Sequence, residues 1–101
     1  MHIYARQGDL VIRKEPIPRG FKLKAVTQPL ILAGRESAPH TIKDFSGIEY
    51  GESNGVQRMR IPSTVQLSHD GRHQFTTLEA GEYAVESLAE MRGELAAAVE
   101  D

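Results

Sequence analysis

The sequence contains neither cysteine nor tryptophan. Without a thiol there is no disulfide and no thiolate metal site, and the usual reason for a small domain to live in an oxidising compartment disappears, so a cytoplasmic protein is expected. No apolar run approaches the ~20 residues that a membrane-spanning helix needs. The opening Met1-His2-Ile3-Tyr4-Ala5-Arg6 turns polar too soon for a secretory leader, and neither membrane nor export is expected. Internal repeats and low-complexity tracts are missing too. So are a Gly-x-Ser-x-Gly elbow and a glycine-rich loop opening a helix, which removes the hydrolase nucleophile and the phosphate cradle from the candidate chemistries.

What remains is ordinary globular composition: 101 residues, 40% hydrophobic and 26% charged, enough for one core and too short for two. The net charge of −2 hides a polarity, because residues 1–50 carry eight basic and five acidic groups while residues 51–101 carry four and nine. The basic excess concentrates in Arg13, Lys14, Arg19, Lys22 and Lys24, around a segment punctuated by Pro16, Pro18 and Gly20. Phe21 is the only aromatic residue nearby, too little stacking surface for a nucleic-acid groove, so nucleic acid is not the expected partner. The segment at 15–22 reads instead as the longest flexible loop, with its basic residues available to a protein partner.

Strands dominate the pattern. Gln7-Gly8-Asp9 reads as a turn before Leu10 to Arg13, and Pro29 to Gly34 is a continuous apolar run that predicts a core strand covered on both faces. His40 to Lys43 and Ile48 to Tyr50 follow. Asn54-Gly55 predicts a type I′ hairpin turn, since both central positions need positive φ. Val56 to Ile61, Thr64 to His69, His73 to Leu78 and Gly81 to Ser87 complete an all-β, single-domain fold of seven or eight short strands, a β-sandwich or small β-barrel over residues 1–87. Ser87-Leu88-Ala89-Glu90 has capping-box spacing, which predicts a short helical tail over 88–101. Its Leu88, Met91 and Leu95, with Val99, fall on one stripe suited to a partner or to self-association.

The residues that suggest special chemistry are His40, His69 and His73. A three-residue loop, Asp70-Gly71-Arg72, pairs His69 with His73, Leu67 with Phe75 and Val65 with Thr77, which aligns the apolar residues on one face. His40, on the face of Ile42, becomes a third imidazole if its strand adjoins this hairpin, with Glu36 or Glu79 as oxygen donors. That set suits a divalent metal such as Zn, Fe or Mn. The alternative is histidines at a sheet rim, hydrogen-bonded and without any cofactor.

Three motifs in order, Gln7-Gly8-Asp9-Leu10-Val11-Ile12, then Leu30 to Gly34 with Glu36 and His40, then Leu67-Ser68-His69 with His73 and Leu78-Glu79-Ala80-Gly81-Glu82-Tyr83-Ala84-Val85, resemble a family of small proteins of bacteria and their tailed phages. The resemblance implies a β fold and a bacterial or phage setting, hence a cytoplasmic or virion location, and no particular reaction. Ile42 stands where that family carries a second histidine. The histidine spacing followed by a glycine and a strand also resembles the cupin barrel. The expected function is a non-enzymatic binding or structural module acting through protein–protein contacts, with a cupin-like metal-binding protein or metalloenzyme as the alternative.

Overall fold

A computed structural model of the chain describes residues 3–32, 39–69 and 74–87. Ten strands run through them: β1 Ala5–Gln7, β2 Leu10–Lys14, β3 Lys24–Ala25, β4 Leu30–Leu32, β5 His40–Ile42, β6 Glu49–Ser53, β7 Val56–Ile61, β8 Val65–His69, β9 Gln74–Leu78 and β10 Gly81–Ser87. That is two or three more strands than the seven or eight expected. The turn at Gly8 gives β1 a partner in β2, and the chain after the proline-rich segment pairs briefly as β3 with β6. The expected helical tail, with Leu88, Met91 and Leu95, lies outside the described residues.

Both sheets are antiparallel. One has the order β1-β2-β10-β7-β6-β3 and the other β4-β5-β8-β9. The chain crosses between them after β3, β5, β7 and β9, so neither sheet closes without the other. Strand alternation turns Leu10, Ile12, Met59, Ile61, Tyr83 and Val85 of the larger sheet inward. Leu30, Leu32, Ile42, Val65, Leu67 and Leu78 of the smaller sheet meet them in a single hydrophobic cluster, completed by Ile48. Burial of each such side chain is worth ~1.5–3 kcal/mol, against ~0–1 kcal/mol for an exposed ion pair. The core therefore outweighs the arginine–glutamate pairs on the outer surface.

The β6–β7 hairpin forms as its sequence demands, with Asn54 at φ 54° and Gly55 at φ 79° between the paired Ser53 and Val56. Two expectations fail nearby. Ile31 is 61% exposed between buried Leu30 and Leu32, so β4 is covered on one face only, as befits a terminal strand of the smaller sheet. The β8–β9 register is also one residue away from the expected one: Val65 opposes Leu78, Leu67 opposes Thr76 and His69 opposes Gln74. Because side chains alternate with period two, that step carries Phe75 to the outside, where it is 66% exposed, and Leu78 into the core. The physical reason is a polar demand inside: Thr76 faces inward beside Leu67 to accept a hydrogen bond from Gln7, which matching of apolar residues cannot foresee.

The segment expected as the longest flexible loop lies along the outer face of the larger sheet. The Ile17 N–H donates to Glu82 at 2.8 Å, the Phe21 ring sits 5.5 Å from the Arg58 guanidinium, and the Lys22 carbonyl passes directly over Gly51. A Cβ on Gly51 would stand 2.1 Å from that oxygen, which is backbone and cannot swing aside. Gly51→Ala is therefore expected to lift the 21–22 segment and cost ~1–3 kcal/mol. Thermal unfolding measures the cost, and loss of the ring-current shift of Phe21 on Arg58 in NMR spectra locates it. An unchanged melting temperature would show that the segment does not rest on the sheet.

Candidate functional site

The sheets meet differently at their two sides. At the side of β1 and β9 the seam is closed by Gln7, fully buried, whose Nε2 donates to the Leu67 carbonyl at 2.8 Å and to Thr76 Oγ1 at 3.2 Å. One amide of the larger sheet thereby holds β8 and β9 of the smaller. A carbonyl has no proton to give, so the Gln7 nitrogen is fixed as the donor and Oε1 as the acceptor. His40 Nδ1 lies 2.8 Å from that Oε1 and must carry the proton. The backbone of β8 thus sets the tautomer of an imidazole on β5.

That leaves His40 Nε2, which faces Asp9 Oδ1 at 3.3 Å. The turn made by Gly8, at φ 57°, delivers Asp9 to this position. His69 opposes His40 across the β5–β8 ladder, and the two rings stack with centroids 4.1 Å apart and planes 21° from parallel. His40 and His69 thus converge through adjoining strands, as expected, while His73 lies outside the described residues. The oxygen donors differ from those expected. Glu36 is outside the described residues, and Glu79 follows β9 at the end remote from His69, where it is exposed and pairs with Lys14 at 3.7 Å. Asp9 supplies the carboxylate instead. Among the described residues no three His, Cys, Asp or Glu side chains are grouped to hold a metal ion.

The basic residues singled out by sequence are not one patch. Arg13 and Lys14 alternate to opposite faces of β2. Arg13 pairs with Glu86 and Glu15 on the outer face, beside Arg58–Glu15 at 3.0 Å, Arg60–Glu49 at 2.7 Å and Arg60–Glu82 at 2.9 Å. Two donors, the Ile17 N–H and the Arg60 guanidinium, hold the Glu82 carboxyl below the usual carboxylate range. Lys14 lies 5.7 Å and 5.9 Å from the Tyr4 and Tyr83 ring centroids, which meet edge to face. Burial, with Tyr4 adding to it, pushes the Tyr83 phenol far above its usual value, so its O–H stays a donor to the Glu79 carbonyl at 2.6 Å. Arg19, Lys22 and Lys24 remain exposed, with no carboxylate within ion-pairing distance among the described residues.

At the opposite side, where residues 26–29 carry the chain from β3 to β4, the seam is open. A cleft of about 630 Å³ lies there, with Lys22, Lys24 and Tyr50 toward the larger sheet, Leu30 and Ile31 toward the smaller, and Glu52 on its wall. Both strands beside it are terminal in their sheets. Ile31 also begins a row that crosses the whole outer face of the smaller sheet, Ile31–Thr41–Ser68–Phe75, each residue opposite the next. The row has exposed apolar ends and a nearly buried hydroxyl middle. Sequence reasoning missed Gln7, Asp9 and Thr76; a glutamine at an inward position directly before a glycine turn was the available signal.

The architecture is that of an all-β protein of two antiparallel sheets around one core. No protein family, curated protein or solved structure matches the chain.

Gln7→Leu removes the amide while keeping the side chain's bulk, and leaves the His40 Nδ1–H buried without its acceptor. A loss of ~2–4 kcal/mol is expected, read as a lower urea midpoint at unchanged slope. In the wild type, long-range ¹H–¹⁵N spectra should show a proton on His40 Nδ1. A neutral substitution would show that the seam does not depend on this amide.

Proposed function

We propose that the chain is a non-enzymatic binding module, a β-sandwich that acts through protein–protein contact at the smaller sheet. The observation that carries this reading is the placement of Ile31 and Phe75, two of the three exposed large apolar side chains among the described residues, at the ends of one cross-sheet row. Large apolar side chains held outward on a rigid sheet make anchors for a partner. The likeness of the motif order to small proteins of bacteria and tailed phages supports a bacterial or phage setting.

Size constrains the contact. Four strands ~4.8 Å apart, two of three residues and two of five, present about 260 Å², well below the roughly 800 Å² per partner of a standard stable interface. A partner that only stacked flat on this face would bind weakly; one that continues round the β4 edge into the cleft gains the missing area. A photo-crosslinking residue at position 31 or 75, expressed in the cell of origin, is expected to give a discrete adduct, and one at position 86 on the far sheet is not. Adducts of twice the chain's mass identify a second copy, and other masses identify a different partner. Equal labelling from all three positions would overturn the assignment.

A second reading rests on His40 and Asp9. Two ligands bonded at ~2.0–2.2 Å to one tetrahedral ion stand about 3.4 Å apart, close to the 3.3 Å between His40 Nε2 and Asp9 Oδ1. A ligating histidine commonly donates its other N–H to a fixed acceptor, as His40 does to Gln7. The pair would supply half of a four-coordinate site for Zn, Fe or Mn, the ion polarising a ligand or activating a bound water. On this reading, added Zn raises the melting temperature of untagged protein, and Asp9→Asn and His40→Ala abolish the rise. Equal responses from wild type and variants would leave this pair only its polar contact between β5 and the turn at Gly8.

A further inference from the structure

The open seam suggests what kind of segment the smaller sheet receives, an inference that rests on the protein-contact reading and narrows it. We propose that β4 accepts an extended acidic peptide as an added strand, lying in the cleft with alternate carboxylates toward Lys22 and Lys24. β4 ends its sheet, so the backbone N–H and C=O groups on its outer side have no neighbouring strand among the described residues. An edge of this kind is a template for pairing. Side chains of an added strand alternate between the cleft and the outer face. One set falls beside Ile31, which is 61% exposed and offers an apolar neighbour; the other points into the cleft mouth.

Charge selects the second set. Arg13, Lys14, Arg58 and Arg60 are each paired with a glutamate of the same chain, whereas Lys22 and Lys24 at the cleft have no such partner among the described residues. Glu52 on the same wall leaves the cleft with a positive excess. Lys22 and Lys24 stand two residues apart in a nearly extended stretch, so their spacing of about 6–7 Å matches that of residues i and i+2 on a strand. The partner so defined alternates acidic and apolar residues.

The test uses ¹⁵N-labelled full-length protein and a synthetic heptapeptide, acetyl-Glu-Val-Glu-Val-Glu-Val-Glu-amide. Its addition is expected to shift the amide resonances of Leu30 to Leu32 and Lys24 and to slow amide exchange along β4. The same peptide N-methylated at every residue loses the strand hydrogen bonds whichever set of N–H groups faces β4 and should not bind; a Lys-Val heptapeptide should not bind either. The Lys22→Glu/Lys24→Glu double variant, both positions being exposed, should weaken the Glu-Val peptide at least about tenfold and gain affinity for the Lys-Val one. No shift at β4 at millimolar peptide overturns the proposal, as does equal binding of the N-methylated form, which would mean attraction without strand addition. An adduct from position 31 together with silence toward the acidic peptide leaves the protein-contact reading standing and removes this partner class.

Discussion

The amide of Gln7 is the constraint on which the rest of the described structure turns. It is buried without exposure in an apolar interior, where an unsatisfied amide would cost more than the net gain of any one of its bonds. Its partners come from β8, β9 and β5, so satisfying it fixes how the two sheets sit on one another. Hydrophobic burial supplies most of the stability but is non-directional; matching of apolar residues would as readily have buried Phe75 opposite Leu67 and left Leu78 outside. The polar group cannot slide. It dictates that Thr76 face inward, and through the two-residue period of a strand it thereby expels Phe75 to the surface.

The same constraint creates the molecule's asymmetry. Where Gln7 and Tyr4 stitch β1 to the neighbourhood of β9, the sheets are joined and the polar groups are used up internally. Where β3 and β4 come together, no comparable buried amide ties the edges among the described residues: β3 is two residues long, and Thr27 and Gln28 of the connecting residues are exposed. Lys22 and Lys24, without an ion-pair partner among the described residues, the exposed Ile31 and the terminal strand β4 all belong to this side. The imidazole pair belongs to the closed side, with His40 held between Gln7 and Asp9. The geometry thus separates a buried histidine network from an open apolar and basic cleft.

Much of the fold was legible from local chemistry. Asn54-Gly55 could only be a tight hairpin turn, the alternation from Thr64 to His69 marked a strand, and Tyr83 and Val85 shared a core face as their spacing required. The convergence of His40 with His69 also followed once their strands were taken as neighbours. What could not be read were β1 and β3, whose short pairings have almost no sequence signature, and the β8–β9 register, where the pattern of apolar residues pointed to Phe75 while a hydrogen bond chose Leu78. The carboxylate beside His40 was missed for the same reason: Asp9 is 31 residues away in the chain and was read as a turn residue.

Composition, alternation and turn residues by themselves determined that this chain folds as all-β, where most of its strands begin and end, and which side chains could form its core, because each of those is decided within a few residues of backbone. Register between strands, the pairing of Arg13, Lys14, Arg58 and Arg60 with glutamates distant in sequence or strand, and the division into a sealed seam and an open one were decided only in three dimensions. They depend on which buried polar groups find partners across the sheets, and that is a property of pairs far apart in sequence.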